Sequence, residues 1–286
     1  MSAVAQQPEL VAPPHGVPRT LLAFERVVVV IDPSVPHQAG LDKAARIAAR
    51  TGAKLELCIH EPMKETVTDD SAFERQFGHH VIRTLPDLVI KEVHGQTGSG
   101  PTPTRTDWQL MRQLAAPLLL VGPEPWPERL RMTVCLDPCH PAIRTPTLDQ
   151  AMLESSVMLG EALDAELGVL HVLDSPPHLP GEPVAEAAKR AHHAQARAVV
   201  QSFLASAGGT KGAVPAEFTE GAVAASILGH VRERRAQVLT LGFAPRAHWV
   251  CADSDGITGE ILEAFPCDLL ITKPPGFVSP LLATGD

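Results

Sequence analysis

Two stretches decide how this chain reads: RVVVVIDP at residues 26–33 and MTVCLDP at residues 132–138. Each is a short, unbroken apolar run that ends in Asp-Pro. An apolar run without alternation suits a strand buried on both faces of a parallel sheet. Proline ends the pairing because it has no N–H to offer. Both runs lead into a helical pattern. After the first, residues 39–51 (AGLDKAARIAART) put Leu41, Ala44, Ala45, Ile47 and Ala48 at helical spacing, with Gly52 as a stop. After the second, residues 147–166 carry Leu148, Met152, Val157, Leu159 and Leu163. Each helix leads to a further strand, residues 53–60 (AKLELCIH) and 166–173 (ELGVLHVL). Strand, Asp-Pro, helix and strand thus recur about 105 residues apart, the mark of a duplicated βαβ unit.

The second copy continues with a helix over 183–206, a strand over 214–218, a helix over 222–235 and a strand over 237–243 (QVLTLGF). A helix over 256–264 and a strand over 268–273 (DLLITK) complete it. Five strands alternating with four helices make an open, doubly wound α/β sheet. The first copy is abbreviated. Residues 61–86 are too few for helix, strand and helix, and one helix over 70–83 is expected there. A strand follows over 87–94 (DLVIKEVH), then a Gly/Thr/Pro-rich loop over 95–105. A helix over 107–114, capped by Thr104 or Thr106, leads to a strand over 117–121. The expected organisation is a mobile tail (1–24), a first repeat (25–123), a Pro-rich linker (124–130), a second repeat (131–278) and a short tail (279–286).

Composition narrows the function. The 286 residues are 44% hydrophobic and 20% charged, which fits a globular chain rather than a disordered one. The longest apolar runs are strand-length, well short of the ~18 residues of a membrane-spanning helix. The net charge of −9, the absence of Tyr and an aromatic share of 4% argue against nucleic acid as a partner. Five cysteines, an odd number without regular spacing, do not form a disulfide framework. The first residues lack a basic region followed by an apolar one, so the cytoplasm is the expected location.

The patches VVVVIDPS, AARIAARTGAKLEL, TPTRTDWQLMRQLAAPLLLVGPEPW, CLDPCHP, LDAELGVLHVLD, VLTLGF and FPCDLLITKPPGF together resemble tandem members of the universal stress protein family. The resemblance implies an adenine-nucleotide alpha-hydrolase-like fold with strand order 3-2-1-4-5 in each repeat. It implies pairing of the repeats through their last strands, an internal pseudo-dimer, with residues 117–121 meeting 268–273. Association of two chains as a homodimer is a further expectation. It also implies a cytoplasmic role in surviving stress rather than a turnover reaction, so the chain is not expected to be an enzyme.

Some members of that family bind ATP through a Gly-x-x-Gly loop after the fourth strand, nine further residues, then Gly and a small hydroxyl residue opening a helix. Glycines let backbone N–H groups approach phosphates, and a helix start favours anions. In the second repeat Gly242 holds the first glycine position, and Gly256, Ile257 and Thr258 match the helix opening. Pro245 replaces the second glycine, and its spacing to Gly256 is one residue too long. Asp253 and Asp255 place two carboxylates just before the phosphate end, a charge that a metal ion, or Arg246 and His248, would have to offset. The resemblance puts Asp137 at the ribose or adenine and Val172 on the strand whose backbone faces the adenine. The expected ligand is therefore ATP with magnesium, at the second repeat only. In the first repeat Asp32 is present, but the run from Gly95 to Gly98 has no glycine at the right distance beyond it. The alternative is a scaffold that docks partner proteins over a degraded nucleotide site; slow ATP hydrolysis is a third reading, hinted at by Asp253 and Asp255.

Cys135, Cys139 and His140 invite a zinc reading. Cys135 falls in a buried strand and Cys139 in the loop beyond, so they are not expected to converge, and no metal ligand is assigned. His192 and His193 are neighbours on a helix, about 100° apart. His60 and His171 lie on equivalent strands, where a backbone partner is the expected role. No Gly-x-Ser-x-Gly and no GxxxxGK[ST] is present.

Overall fold

The computed structural model describes residues 24–33, 35–59, 84–96, 101–140, 146–176, 185–207, 214–243 and 256–279. The first repeat contributes β1 (Arg26–Ile31), α1 (Gln38–Thr51), β2 (Lys54–Ile59), β3 (Leu88–Glu92), β4 (Gly95–Gln96), β5 (Pro101–Thr102), α2 (Arg105–Gln113) and β6 (Leu118–Val121). The second contributes β7 (Arg131–Cys135), α3 (Pro146–Leu163), β8 (Glu166–Leu173), α4 (Glu186–Ser206) and β9 (Ala216–Glu220). It closes with α5 (Val223–Arg234), β10 (Val238–Gly242), α6 (Gly256–Ala264) and β11 (Asp268–Thr272).

Nine strands form one sheet in the order β2-β1-β3-β6-β11-β10-β7-β8-β9. Within it the second repeat has the order 3-2-1-4-5, read from β9 to β11, with every pairing parallel. Among the described residues the first repeat supplies four strands of the same order, β2-β1-β3-β6, also parallel. The helix expected over 70–83 lies outside the described residues. The stretch read as a loop over 95–105 contains a short antiparallel ribbon instead, with Gly95 opposite Thr102 and Gln96 opposite Pro101. Two-residue strands carry no periodicity, so the sequence gives no sign of them.

The repeats join through their last strands. β6 and β11 run antiparallel, with Leu118, Leu119 and Leu120 opposite Ile271, Leu270 and Leu269. All six side chains are fully buried. Helices cover both faces of the sheet. On one face Ile47 of α1 packs in the same cluster as Leu159 and Leu163 of α3, one helix from each repeat. On the other, Leu110 and Met111 of α2 share a cluster with Ile227 of α5 and Ile261 of α6. Each cluster crosses the joint, so the two repeats share a continuous apolar interior on either side of the sheet. Gly52 ends α1 with φ +74°, the left-handed turn a glycine takes without strain, and its N–H bonds to the Ala48 carbonyl.

One buried carboxylate ties the two halves together. Asp268 accepts the Gly122 N–H at 2.8 Å, the Lys43 ammonium at 2.8 Å and the Trp126 indole N–H at 2.6 Å. Lys43 also donates to the Gly122 carbonyl at 2.9 Å. The Pro-rich stretch after the first repeat is therefore anchored to the second. Burial pushes the Asp268 pKa above the ordinary value, and the Lys43 charge and the three hydrogen bonds pull against it. A second buried cation, Lys273, donates to the Met111 carbonyl and lies 5.0 Å from the Phe243 ring centre and 5.5 Å from that of Phe277. Burial lowers its pKa from 10.5 to about 7.

Two outcomes follow from these buried charges. Asp268→Asn leaves Lys43 without its counter-charge and is expected to lower stability by about 3–5 kcal/mol, measured by urea unfolding. Between pH 7 and about 8.5, below the ordinary thiol range, the unfolded chain holds a proton on Lys273 that the folded chain releases, so folding gains stability as pH rises through that window. The expected slope is about 1.4 kcal/mol per pH unit for one proton. It should vanish in Lys273→Met, which should also be the more stable protein at neutral pH.

Candidate functional site

In the second repeat the chain leaves β7 toward β8 and leaves β10 toward β11, so adjacent strands send their helices in opposite directions. The crevice beyond the carboxyl ends of such strands is where open α/β sheets place ligands. Gly242 ends β10 at this point. The Thr258 hydroxyl donates to the Gly242 carbonyl at 3.0 Å, which holds the start of α6 against the end of β10. Gly256, the first residue of α6, has φ +60°, and among the described residues a Cβ there would meet nothing within 4 Å. Ile257 beside it is exposed. The first turn of α6 carries no acidic residue.

The corresponding helix start in the first repeat is closed by its own side chains. Thr104 caps α2, and Asp107 accepts both the Thr104 N–H at 2.7 Å and the Thr104 hydroxyl at 2.9 Å. Asp107 is wholly buried and pairs with the Lys91 ammonium at 2.8 Å. A fixed carboxylate at that helix start satisfies the donors an anion would need and repels the anion itself.

Across the second-repeat crevice, Asp137 follows the end of β7. Its N–H donates to the buried Asp149 carboxylate of α3 at 3.0 Å. Its own carboxylate oxygens lie 2.9 and 3.0 Å from Nδ1 of His140. Val172 is half-buried on β8 opposite Thr219 of β9, two residues past the last β7–β8 pair, Cys135 with Leu170. The structure therefore gathers Asp137, Val172, Gly242, Gly256, Ile257 and Thr258 around the carboxyl ends of the central strands. Arg246 lies outside the described residues, as do Pro245, His248, Asp253 and Asp255.

The neighbourhood of Asp137 holds more chemistry than the sequence reading assigned. Cys135 is buried in the sheet core, as expected. Cys139 turns to a different partner: its Sγ lies 3.7 Å from Nε2 of His171, and both ligand atoms are within 4.8 Å of an Asp137 oxygen. His171 is fully buried, and its Nδ1 lies 2.9 Å from the Leu136 carbonyl. That is the backbone partner expected for it. His140 reaches Asp174 with its other nitrogen, at 3.4 Å. His192 meets the Asp174 carboxylate at 2.9 Å, and His193 meets the Asp174 carbonyl at 3.0 Å. Two adjacent histidines on a helix thus contact one residue, one through its side chain and one through its backbone.

These groups set one another's protonation. The hydrogen bond to Asp137 raises the His140 pKa above its ordinary value against a burial effect of opposite sign. Burial acts to raise that of Asp174, but the His192 and His140 rings hold it below the usual carboxylate range. Burial, then the charges of Asp137, Asp174 and Asp149, push the Cys139 thiol up to about 11.

A single α/β sheet built from two parallel repeats joined through their last strands defines a class of tandem α/β fold. Residues 140–273 match the family model described as the universal stress protein family. The chain superimposes on a putative universal stress protein from Pseudomonas aeruginosa UCBPP-PA14 with a TM-score of 0.64 at 18% identity, over 88% of this chain and 94% of that one. A functionally unknown protein from Pseudomonas aeruginosa PAO1 gives 0.66 at 18% identity, over 88% and 93%. A universal stress protein from Archaeoglobus fulgidus DSM 4304 gives 0.60 at 10% identity, over 88% and 100%. At these identities the similarity is one of fold. No curated protein matches the chain in sequence. The family match falls on the second repeat, and the first repeat shares that repeat's strand order. Among the described residues no helix is long and apolar enough to cross a membrane.

The Thr258–Gly242 hydrogen bond is expected to hold the start of α6 in place. Thr258→Val should cost about 0.5–1.5 kcal/mol in urea unfolding, whereas Thr258→Ser, which keeps the hydroxyl, should recover most of it.

Proposed function

We propose that the chain is a stress-response protein whose second repeat binds an adenine nucleotide, with magnesium, to sense or sequester it rather than to turn it over. The observation that carries this reading is the contrast between the two helix starts. Among the described residues, a Cβ on Gly256 at the start of α6 would meet nothing within 4 Å and the first turn of α6 has no acidic residue; the start of α2 is filled by the buried Asp107. Backbone N–H groups at the start of α6 and its dipole favour a phosphate there. At the other end of the crevice the Asp137 carboxylate is an acceptor for ribose hydroxyls or an adenine amino group.

Calorimetric titration of the whole chain with ATP and magnesium tests the reading, with one site per chain expected. Asp137→Ala should weaken binding at the sugar or base end. Ile257→Glu alters an exposed position and places a carboxylate beside the phosphates; it should weaken ATP binding by tenfold or more while leaving the melting temperature of the free protein within a few degrees. Absence of heat with the wild-type protein would favour the scaffold reading. Phosphate release above an Ile257→Glu control would make the chain a slow hydrolase.

A further inference from the structure

Three different metal-ligating side chains meet at the loop after β7. We propose that Asp137, Cys139 and His171 form a site for a zinc-class divalent cation, with a further coordination position open to water or to a ligand in the crevice. The site does not depend on nucleotide binding.

The donor set comes first. Thiolate, imidazole and carboxylate together suit zinc and its neighbours, whereas magnesium and calcium take oxygen ligands. Among the described residues this is the one cluster of three such groups whose ligand atoms lie within 4.8 Å of one another. Spacing agrees. Around a tetrahedral zinc with Zn–S of about 2.3 Å and Zn–N of about 2.0–2.1 Å, sulfur and nitrogen stand about 3.6 Å apart. Cys139 Sγ and His171 Nε2 are 3.7 Å apart.

Preorganisation is the second observation. The Leu136 carbonyl can only accept, so Nδ1 of His171 carries the proton of the neutral ring, and Nε2 presents its lone pair toward Cys139. A metal-bound histidine characteristically has its other ring nitrogen tied in this way. The edge of Phe218, with ring centres 6.1 Å apart and planes at 73°, further limits rotation of the imidazole. Asp137 is held by His140, which is held in turn by Asp174, and Asp174 by His192. The three ligands therefore come from a loop and a strand that are already fixed by their neighbours. When a cation binds, the Cys139 S–H bond breaks, its proton goes to solvent and sulfur bonds to the metal.

The test uses the whole chain, stripped with a chelator and titrated with Zn2+ and with Co2+ in the absence of nucleotide. One equivalent of cobalt should bind with a thiolate-to-metal charge-transfer band, and zinc should displace it. Zinc should also slow alkylation of Cys139 in the wild-type protein at least tenfold, a readout that needs no variant. Cys139→Ala should abolish the band and Cys135→Ala should leave it. His140→Gln should weaken zinc binding about 10–100-fold, as expected for a group that orients a ligand. The proposal is overturned by cobalt bound without the band, by a band that survives Cys139→Ala, or by an alkylation rate that zinc does not change.

Discussion

The antiparallel pairing of β6 with β11 is the contact on which the rest of the molecule depends. Each repeat by itself would end in an unpaired edge that is mostly apolar, LLLV in one and DLLIT in the other. Such an edge is a template for unwanted association, and joining the two removes both at once. The Asp268 carboxylate then fixes the register from the side, because its partners come from α1, from the end of β6 and from the chain that follows. A buried ion pair of this kind adds little net energy over apolar packing, but it is satisfied in one arrangement only.

The two repeats share a backbone plan and differ in what fills their crevices. In the first, the α2 start carries Asp107, and Glu92 at the end of β3 accepts the Gly40 N–H of α1 at 2.7 Å. Carboxylates have taken the places where an anionic ligand would be held. In the second, the first turn of α6 carries no acidic residue, while Asp137, Cys139 and His171 are gathered beyond β7 and on β8.

Most of the sheet was legible in the sequence because a strand buried on both faces has a signature of its own. VVVVI and TVC read as central strands and are; VLTLG and DLLIT read as strands, and the sheet pairs them on both sides as well. The order of the strands followed from the duplication and from the resemblance, not from any local pattern. The candidate site was legible only as positions in the chain: Asp137 after β7, Gly242 at the end of β10, Gly256 and Thr258 in the first turn of α6. It was not legible at Cys139 and His171. They are 32 residues apart in the chain, and their approach is set by the β7–β8 register together with the turn at Pro138. Likewise nothing near Asp268 marks it as a partner of Lys43, which lies 225 residues away. Apolar periodicity reports burial; it does not report which polar groups meet once the burial is complete.

A covalent tandem has one consequence that a symmetric pair of identical chains lacks. In a homodimer, any change that closes one crevice closes its mate as well, because both are spelled by the same codons. Here the joint is internal, and the halves are free to drift apart. One half can give up its guest and serve as ballast that completes the sheet, while the other accumulates new chemistry without the first having to follow.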